Sequence, residues 1–327
     1  MRAYNAKDTL HRAVDSVLNQ TYPNLCLYLM DNASKDNGQT RNIVEQYAEK
    51  DHRVIPFYTN ENRTYQGCND MFKLDRIIDA MEDSHFFCTL DADDEYSLDF
   101  FEKALAFLEE NKCDIVACGN DRVSAETGVS MDGGWAISDS IVIEGDDFAN
   151  KFSVYLPFMY TIWGKLYSAP VLKRAKIADW HKSISSLAYG RDTSFALHVF
   201  GHANKVGVLG GSHHKYYISP SSVIHQFSKG RVASDRQIFD SYKKYLELRN
   251  GGTTKNIDRI YNTYAAAVGY TINMALKSDL SDLEKRLVIE DILEHPYTKE
   301  ALARSGVHEE HKLSLTNVLS KFDEAGE

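Results

Sequence analysis

Apolar positions over the first 120 residues switch between two spacings. Leu10, Val14, Val17 and Leu18 recur at the interval that lines one helical face, and Asn5 followed by Asp8 offers a start signal upstream. "LCLYLM", from Leu25 to Met30, is a continuous apolar run of the kind that forms a strand buried on both faces. A second helix is predicted from about Gln39 to Glu49, then "RVIPFYT" as a strand, a helix between Tyr65 and Met81, and "HFFCTL" as a strand from His85 to Leu90. Ser97 is placed to cap the next helix, where Phe101, Leu105 and Leu108 share a stripe, and "DIVACG" predicts another buried strand. Strands alternating with helices imply an α/β fold with a mostly parallel sheet.

From about Gly128 to His225 the pattern becomes irregular and aromatic-rich, with "FMYTIWGKLY" and "SHHKYYISPSS" as its marked stretches. Beyond Ser234 the chain is predicted to be helical: Ile238, Tyr242, Tyr245 and Leu246 form a face, "NGG" breaks it, and two or three amphipathic helices follow. Strand signals cease near residue 230. The expected organisation is an α/β domain over residues 1–230, with halves 1–120 and 121–230, and a helical region over 231–327.

Charge narrows the function. The 327 residues carry 37 Lys and Arg against 47 Asp and Glu, a formal charge of −10, which argues against a nucleic-acid partner held through its phosphates. An acidic protein that handles phosphates needs a metal or local basic groups. The five cysteines form no C-x-x-C pair, which fits buried thiols in a reducing compartment. With no apolar run long enough to span a membrane and no leader pattern, a cytoplasmic, soluble protein is expected. Lys243, Lys244 and Arg249 offer some basic character to a membrane's inner face, countered by the acids around them.

The chemistry concentrates in "TLDADDEY". Asp91, Asp93, Asp94 and Glu95 follow a strand directly, and ligands of parallel α/β sheets bind outside the carboxyl ends of strands. Carboxylates at i and i+2 on a tight turn can converge on Mg²⁺ or Mn²⁺; equally, the turn can be a solvated acidic cap on the next helix. An EF-hand reading fails at Tyr96, where the loop needs Gly, and a phosphatase D-x-D-x-[TV] fails at Glu95.

"YNAKDTLHRAVDSVLNQTYPNLCLYLMDNASKDNG", from Tyr4 to Gly38, together with "TLDADDEY", resembles the family 2 glycosyltransferases of the GT-A fold. That pattern runs from an aromatic-Asn turn through a helix ending in S-[IV]-x-x-Q-T-Y, to a strand closing in D-[DN]-x-S-x-D and another closing in D-x-D-D. It covers residues 3 to 120. "WGKLY" and "YGRDTSF", the latter similar to G-E-D-x-x-F, are weaker echoes. The resemblance implies a Rossmann-like mixed sheet flanked by helices, with a helical C-terminal extension. It also implies inverting transfer of a sugar from a UDP-, dTDP- or GDP-linked donor to a saccharide or lipid-linked acceptor, in envelope or capsular polysaccharide synthesis.

Carried over residue by residue, the resemblance makes Asp192 the base that takes the acceptor proton, Tyr4 a stacking platform, and Asp31 and Asn32 contacts to the nucleotide base. Asp93, with Asp91 or Asp94, holds Mn²⁺ or Mg²⁺, Asp91 facing the nucleotide. His213, His214 and His225 are candidates to complete the metal shell. Arg63, Lys215 and Arg231 are candidate diphosphate contacts, and Trp163 and Lys165 are expected near the acceptor, more as packing than as chemistry. Gln20 and Thr21 are expected to close the first helix.

Four departures from the pattern carry expectations of their own. Only Met1, Arg2 and Ala3 precede Tyr4, so the family's first strand is expected to be missing, leaving a gap in the sheet. Asn32 replaces a second Asp. Cys68 stands where a basic residue precedes the Asn matched by Asn69, and Arg191 replaces the acid before Asp192, where its charge is expected to lower the base's pKa. The missing strand, Cys68 and Arg191 leave open a catalytically impaired scaffold of the same fold, and the acid turn leaves open a calcium-binding module. Oligomeric state stays open, a homo-oligomer included.

Overall fold

The computed structural model describes residues 1–62, 78, 80–177, 179–180, 187–219 and 227–324. Arg63, Cys68, Asn69, His225 and nearly all of the helix expected between residues 65 and 81 lie outside the described residues.

Two sheets form the framework. The first runs β1 (Arg2–Ala3), β2 (Leu27–Asp31), β3 (Val54–Tyr58), all parallel. Helices Leu10–Leu18 and Gln39–Lys50 supply the crossovers, the first burying Leu10, Ala13, Val14 and Val17. β2 is not buried on both faces: Leu27, Leu29 and Asp31 are buried while Tyr28 is exposed. The expected gap before Tyr4 is also corrected. Arg2 and Ala3 pair with Met30 and Asp31, and Arg2 bridges Asp91 on its other side. Two residues thus suffice to bond both neighbours.

The second sheet has seven strands: β4 (Phe86–Phe87), β5 (Glu95–Tyr96), β6 (Ile115–Ser124), β7 (Ser130–Trp135), β8 (Ile141–Glu144), β9 (Lys165–Ser168) and β10 (Lys205–Ile218). Its central order is β4-β9-β6-β10-β5, with β7 on β6 and β8 on β10. Among the described residues only β6 and β10 run parallel in it, so this sheet is mixed rather than mostly parallel. Side chains alternate across a strand, and β6 uses this to serve two cores. Ile115 and Ala117 join the one built on Phe195, Phe200 and Tyr245, while Val116 and Cys118 join the one built on Leu10, Leu29 and Phe100.

Helix ends depart from the sequence reading. Asn5 and Asp8 do not start the first helix, whose cap position is Thr9. Ser97 does not cap helix Phe100–Asn111; its hydroxyl donates to Asp99 Oδ1 at 3.0 Å. The cap comes from Gln20, whose Oε1 accepts from Phe101 N at 2.9 Å and whose Nε2 donates to the carbonyls of Ser16 and Ser97. Gln20 therefore ties the first helix to the acid turn. Among the described residues past 230 come five helices, Arg231–Leu248, Thr254–Lys277, Asp282–Glu294, Pro296–Ala303 and Glu309–Glu324. Phe239, Tyr242, Tyr245 and Val268 enter the same core as Phe195 and Phe200, so apolar packing runs unbroken across the expected boundary.

Candidate active site

β1 lies between β2 and Asp91, so two strand ends open on the same edge of the molecule. On the β2 side, Asp31 and Asn32 are buried and pre-bonded. Asp31 Oδ1 accepts from Ser34 N at 3.1 Å. Asn32 Oδ1 accepts from Thr59 Oγ1 at 3.2 Å and its Nδ2 donates to Asn62 Oδ1 at 2.8 Å. Asn5 takes a left-handed φ of 51°, donates its N–H to Ser34 Oγ and accepts from Lys35 N. That bonding holds Tyr4, which is 39% exposed, at the lip of the same loop.

On the Asp91 side, the four acids divide into three fates. Asp94 is 1% exposed and turns inward: Oδ1 accepts from Tyr217 N at 2.9 Å and Oδ2 stands 3.3 Å from His214 Nε2. Glu95 is paired, with Arg12 at 3.3 Å, Lys215 at 3.2 Å and the Tyr217 hydroxyl at 3.0 Å. Asp91 and Asp93 keep open faces. The backbone of the turn is gripped from the first helix, Thr9 Oγ1 donating to Ala92 O at 2.9 Å and Arg12 Nη2 to Asp93 O at 2.5 Å.

Burial, and then mutual repulsion, raise the proton affinity of these acids. Asp91 is pushed well above the ordinary carboxylate range by lost solvation, then by the charges of Asp94, Asp192 and Asp93. Although one side of Asp91 is open, dense protein surrounds the rest. Asp93 is raised by desolvation against the pull of Arg12, and Asp94 by desolvation and Asp93. His214 is pressed down to about 3 by burial and by Lys165, so it faces Asp94 as a neutral ring, stacked on Trp163 with centroids 4.0 Å apart.

Asp192 sits in the first turn of helix Arg191–His202 and is felt electrostatically by Asp91. Its carboxyl is raised by burial, with Arg2 and Lys165 pulling the other way. Arg191 is not the cation beside it: the Arg191 Nε donates back to Leu187 O at 3.3 Å. Consecutive helical side chains diverge by about 100°, so the charge of residue 191 leaves the direction of residue 192. The expected lowering of the base's pKa is therefore corrected to a rise.

Several other expectations move. Asp94 is engaged with β10 rather than open beside Asp93. His213 bonds Ser97 Oγ at 3.0 Å and lies 3.7 Å from Asp99, away from the open carboxylates. Lys215 is taken by Glu95, and Arg231 is buried against the Tyr189 ring rather than carried on a closing loop. Trp163 is buried between Trp135 and His214. Lys165, 2% exposed, donates to Trp163 O at 2.8 Å and Thr161 Oγ1 at 3.1 Å, and burial lowers its pKa to about 7. The sequence reading missed Arg2 and Arg12; polar-face arginines carry no periodic signal that marks them as site-facing.

Among the described residues no three His, Cys, Asp or Glu side chains converge to hold a metal alone. The donor chemistry nonetheless suits a hard divalent cation. Asp91 and Asp93 are oxygen ligands on one turn, mutually repelling and open, and Mg²⁺ commonly takes one or two carboxylates and completes its shell with water and phosphate. Asp94 Oδ2, buried without a hydrogen bond, adds negative potential behind them.

Residues 1–156 match the model for glycosyl transferase family 2. A Bacillus subtilis protein named as a teichuronic acid biosynthesis glycosyltransferase, TuaG, is 31% identical over 130 residues, 40% of this chain and 48% of TuaG. The B. subtilis glycosyltransferase EpsJ is 22% identical over 224 residues, 67% of this chain and 60% of EpsJ. The chain thus spans about half to three fifths of these relatives. Among solved structures, S. aureus TarS residues 1–349 in complex with UDP superposes with a TM-score of 0.63 at 17% identity, covering 98% of this chain and 86% of that one. TarS with UDP-GlcNAc gives 0.52 at 16%, covering 99% and 79%. The fold is GT-A: a mixed α/β architecture flanked by helices.

Proposed function

We propose that the chain, whose residues 1–156 match the model for glycosyl transferase family 2, moves a sugar from a uridine diphosphate donor to a hydroxyl of a cell-envelope saccharide, inverting the anomeric carbon. The observation that carries this reading is the pair of open carboxylates, Asp91 and Asp93, at a strand end beside Arg2, with Asp192 near enough to raise the proton affinity of Asp91. Acids from two elements a hundred residues apart lie within electrostatic reach of each other, and Arg2 and Lys165 within reach of Asp192, as suits a reaction with a charged leaving group and a weak nucleophile.

Tyr4 stacks on the nucleobase, and Asn32 meets its edge. The Asn32 amide carries both an acceptor and a donor, which suit uracil N–H and C=O. The UDP and UDP-GlcNAc of the TarS complexes favour the same base. Asp192 accepts the acceptor's hydroxyl proton as that oxygen bonds to the anomeric carbon, while the bond from that carbon to the phosphate oxygen breaks on the opposite side. Its raised proton affinity makes it a stronger base. Arg2 places positive charge beside the departing diphosphate. Asp91 and Asp93 would hold Mn²⁺ or Mg²⁺, which would supply further charge neutralisation for that diphosphate.

Among the described residues no helix is long and apolar enough to cross a membrane; work at the inner membrane face on a lipid-linked acceptor is part of the proposal. Calorimetric titration of UDP with and without Mn²⁺, followed by turnover across a panel of UDP-sugars, tests it. Metal-dependent UDP binding and turnover of at least one donor are expected. Binding of calcium without any nucleotide, or no nucleotide binding at all, overturns the reading.

A further inference from the structure

The turn that presents Asp192 is fastened from outside the α/β part of the molecule. Tyr189 Oη donates to Asp235 Oδ1 on helix Arg231–Leu248. Asp235 Oδ2 accepts from Thr271 Oγ1 at 2.7 Å on helix Thr254–Lys277. Arg231 covers the Tyr189 ring, its Cζ 4.2 Å from the centroid, and donates from Nε to Thr271 Oγ1 at 3.1 Å. Four side chains from three elements close a ring.

Backbone contacts reinforce it. Ala188 N donates to Ser234 Oγ at 2.9 Å. Gly190, the cap position of the Asp192 helix, has φ 75°, and a Cβ there would stand 2.1 Å from Ile238 Cδ1. Only glycine permits both this backbone and so close an approach. Asp235 itself is 2% exposed, and a bond in so dry a setting is little weakened by water.

None of these residues touches the open carboxylates or enters the chemistry above. Resting on the reading of Asp192 as the base, we propose that Asp235, with Tyr189 and Thr271, is a positioning device through which the helical C-terminal region aims Asp192 at the acceptor. A base must bring its oxygen to within about 3 Å of the proton it removes, and a displacement of about 1 Å costs roughly a hundredfold in rate. Only two residues separate Tyr189 from Asp192, so loosening one end of the turn tilts the other.

Substitutions at two positions test this. Tyr189→Phe keeps the ring beneath Arg231 and deletes one O–H. It should lower kcat about tenfold or more while leaving UDP affinity within about twofold. Backbone hydrogen exchange over residues 187–195 should quicken by about threefold or more, with residues 10–18 unchanged. Asp235→Asn, which still accepts one hydroxyl and offers its amide to the other, should retain more kcat than Asp235→Ala. Unchanged exchange in Tyr189→Phe overturns the proposal. So does a parallel fall of kcat, UDP affinity and melting temperature in both variants, which marks a merely structural role. Should the wild type turn over no donor, the transferase reading fails alone, and the exchange measurement still decides whether the device exists.

Discussion

Gln20 caps Phe101 across eighty-one residues of chain, its Oε1 2.9 Å from the Phe101 amide while its Nε2 holds the Ser97 carbonyl at 2.7 Å. One buried amide therefore sets where the first helix ends and where the acid turn hands over to the next helix. Losing it strands buried donors and acceptors, at about 1–3 kcal/mol. Gln20→Ala should lower stability by about that much in urea denaturation. Gln20→Glu should be nearly as harmful, because a carboxylate cannot donate to Ser16 and Ser97.

The crowded carboxyls make stability depend on pH and on cations together. Asp91, Asp93 and Asp94 have proton affinities raised by folding, so their contribution is present below the ordinary value of 3.8 and is lost as pH rises through the raised ones. His214 has the opposite sign: lowered from 6.5 to about 3, its contribution is intact above 6.5 and is lost as pH falls toward 3. Mn²⁺ should therefore raise the melting temperature by an increment that grows from about pH 5 to about pH 8. At about 100 times Kd the gain is roughly 2.7 kcal/mol. Scanning fluorimetry at several pH values checks it; an increment that shrinks as pH rises would remove the acid turn as the binding place.

Within the turn, the roles divide. Asp93→Asn should weaken Mn²⁺ binding at least about tenfold by removing an open oxygen charge. Asp94→Asn should change it far less, since the amide oxygen still accepts from Tyr217 N and the lost charge relieves Asp91. Calorimetry on the two variants distinguishes an open ligand from an inward one.

Asp192→Asn should cut turnover by about 10²–10⁴ while leaving UDP binding intact. In the wild type, kcat/KM should rise with pH through the raised pKa of Asp192 and then level off, because only the ionised form accepts the proton. The residual rate of the variant should lack that rise.

Helices with a broad apolar stripe were legible to within a few residues at their ends: Leu10–Leu18, Gln39–Lys50 and Phe100–Asn111 follow directly from spacing. Of the two-residue strands, β4 lies within the predicted "HFFCTL" run, but β5 was not legible: it exists because β10 lies beside it, a fact of long-range topology that no local pattern carries. The site was legible as a set of residue types and not as a division of labour. Whether an acid in "DADDEY" is open or satisfied depends on Arg12, Lys215 and the Tyr217 amide, all brought in from elsewhere. Arg191 was misjudged for a local reason, its neighbour in sequence being no neighbour in direction.

The strand β6, with Ile115 and Ala117 on one side and Val116 and Cys118 on the other, acts as a party wall. Any insertion of one residue within it would send each occupant into the opposite room, evicting both sets at once. Change at this wall must come by substitution, never by length.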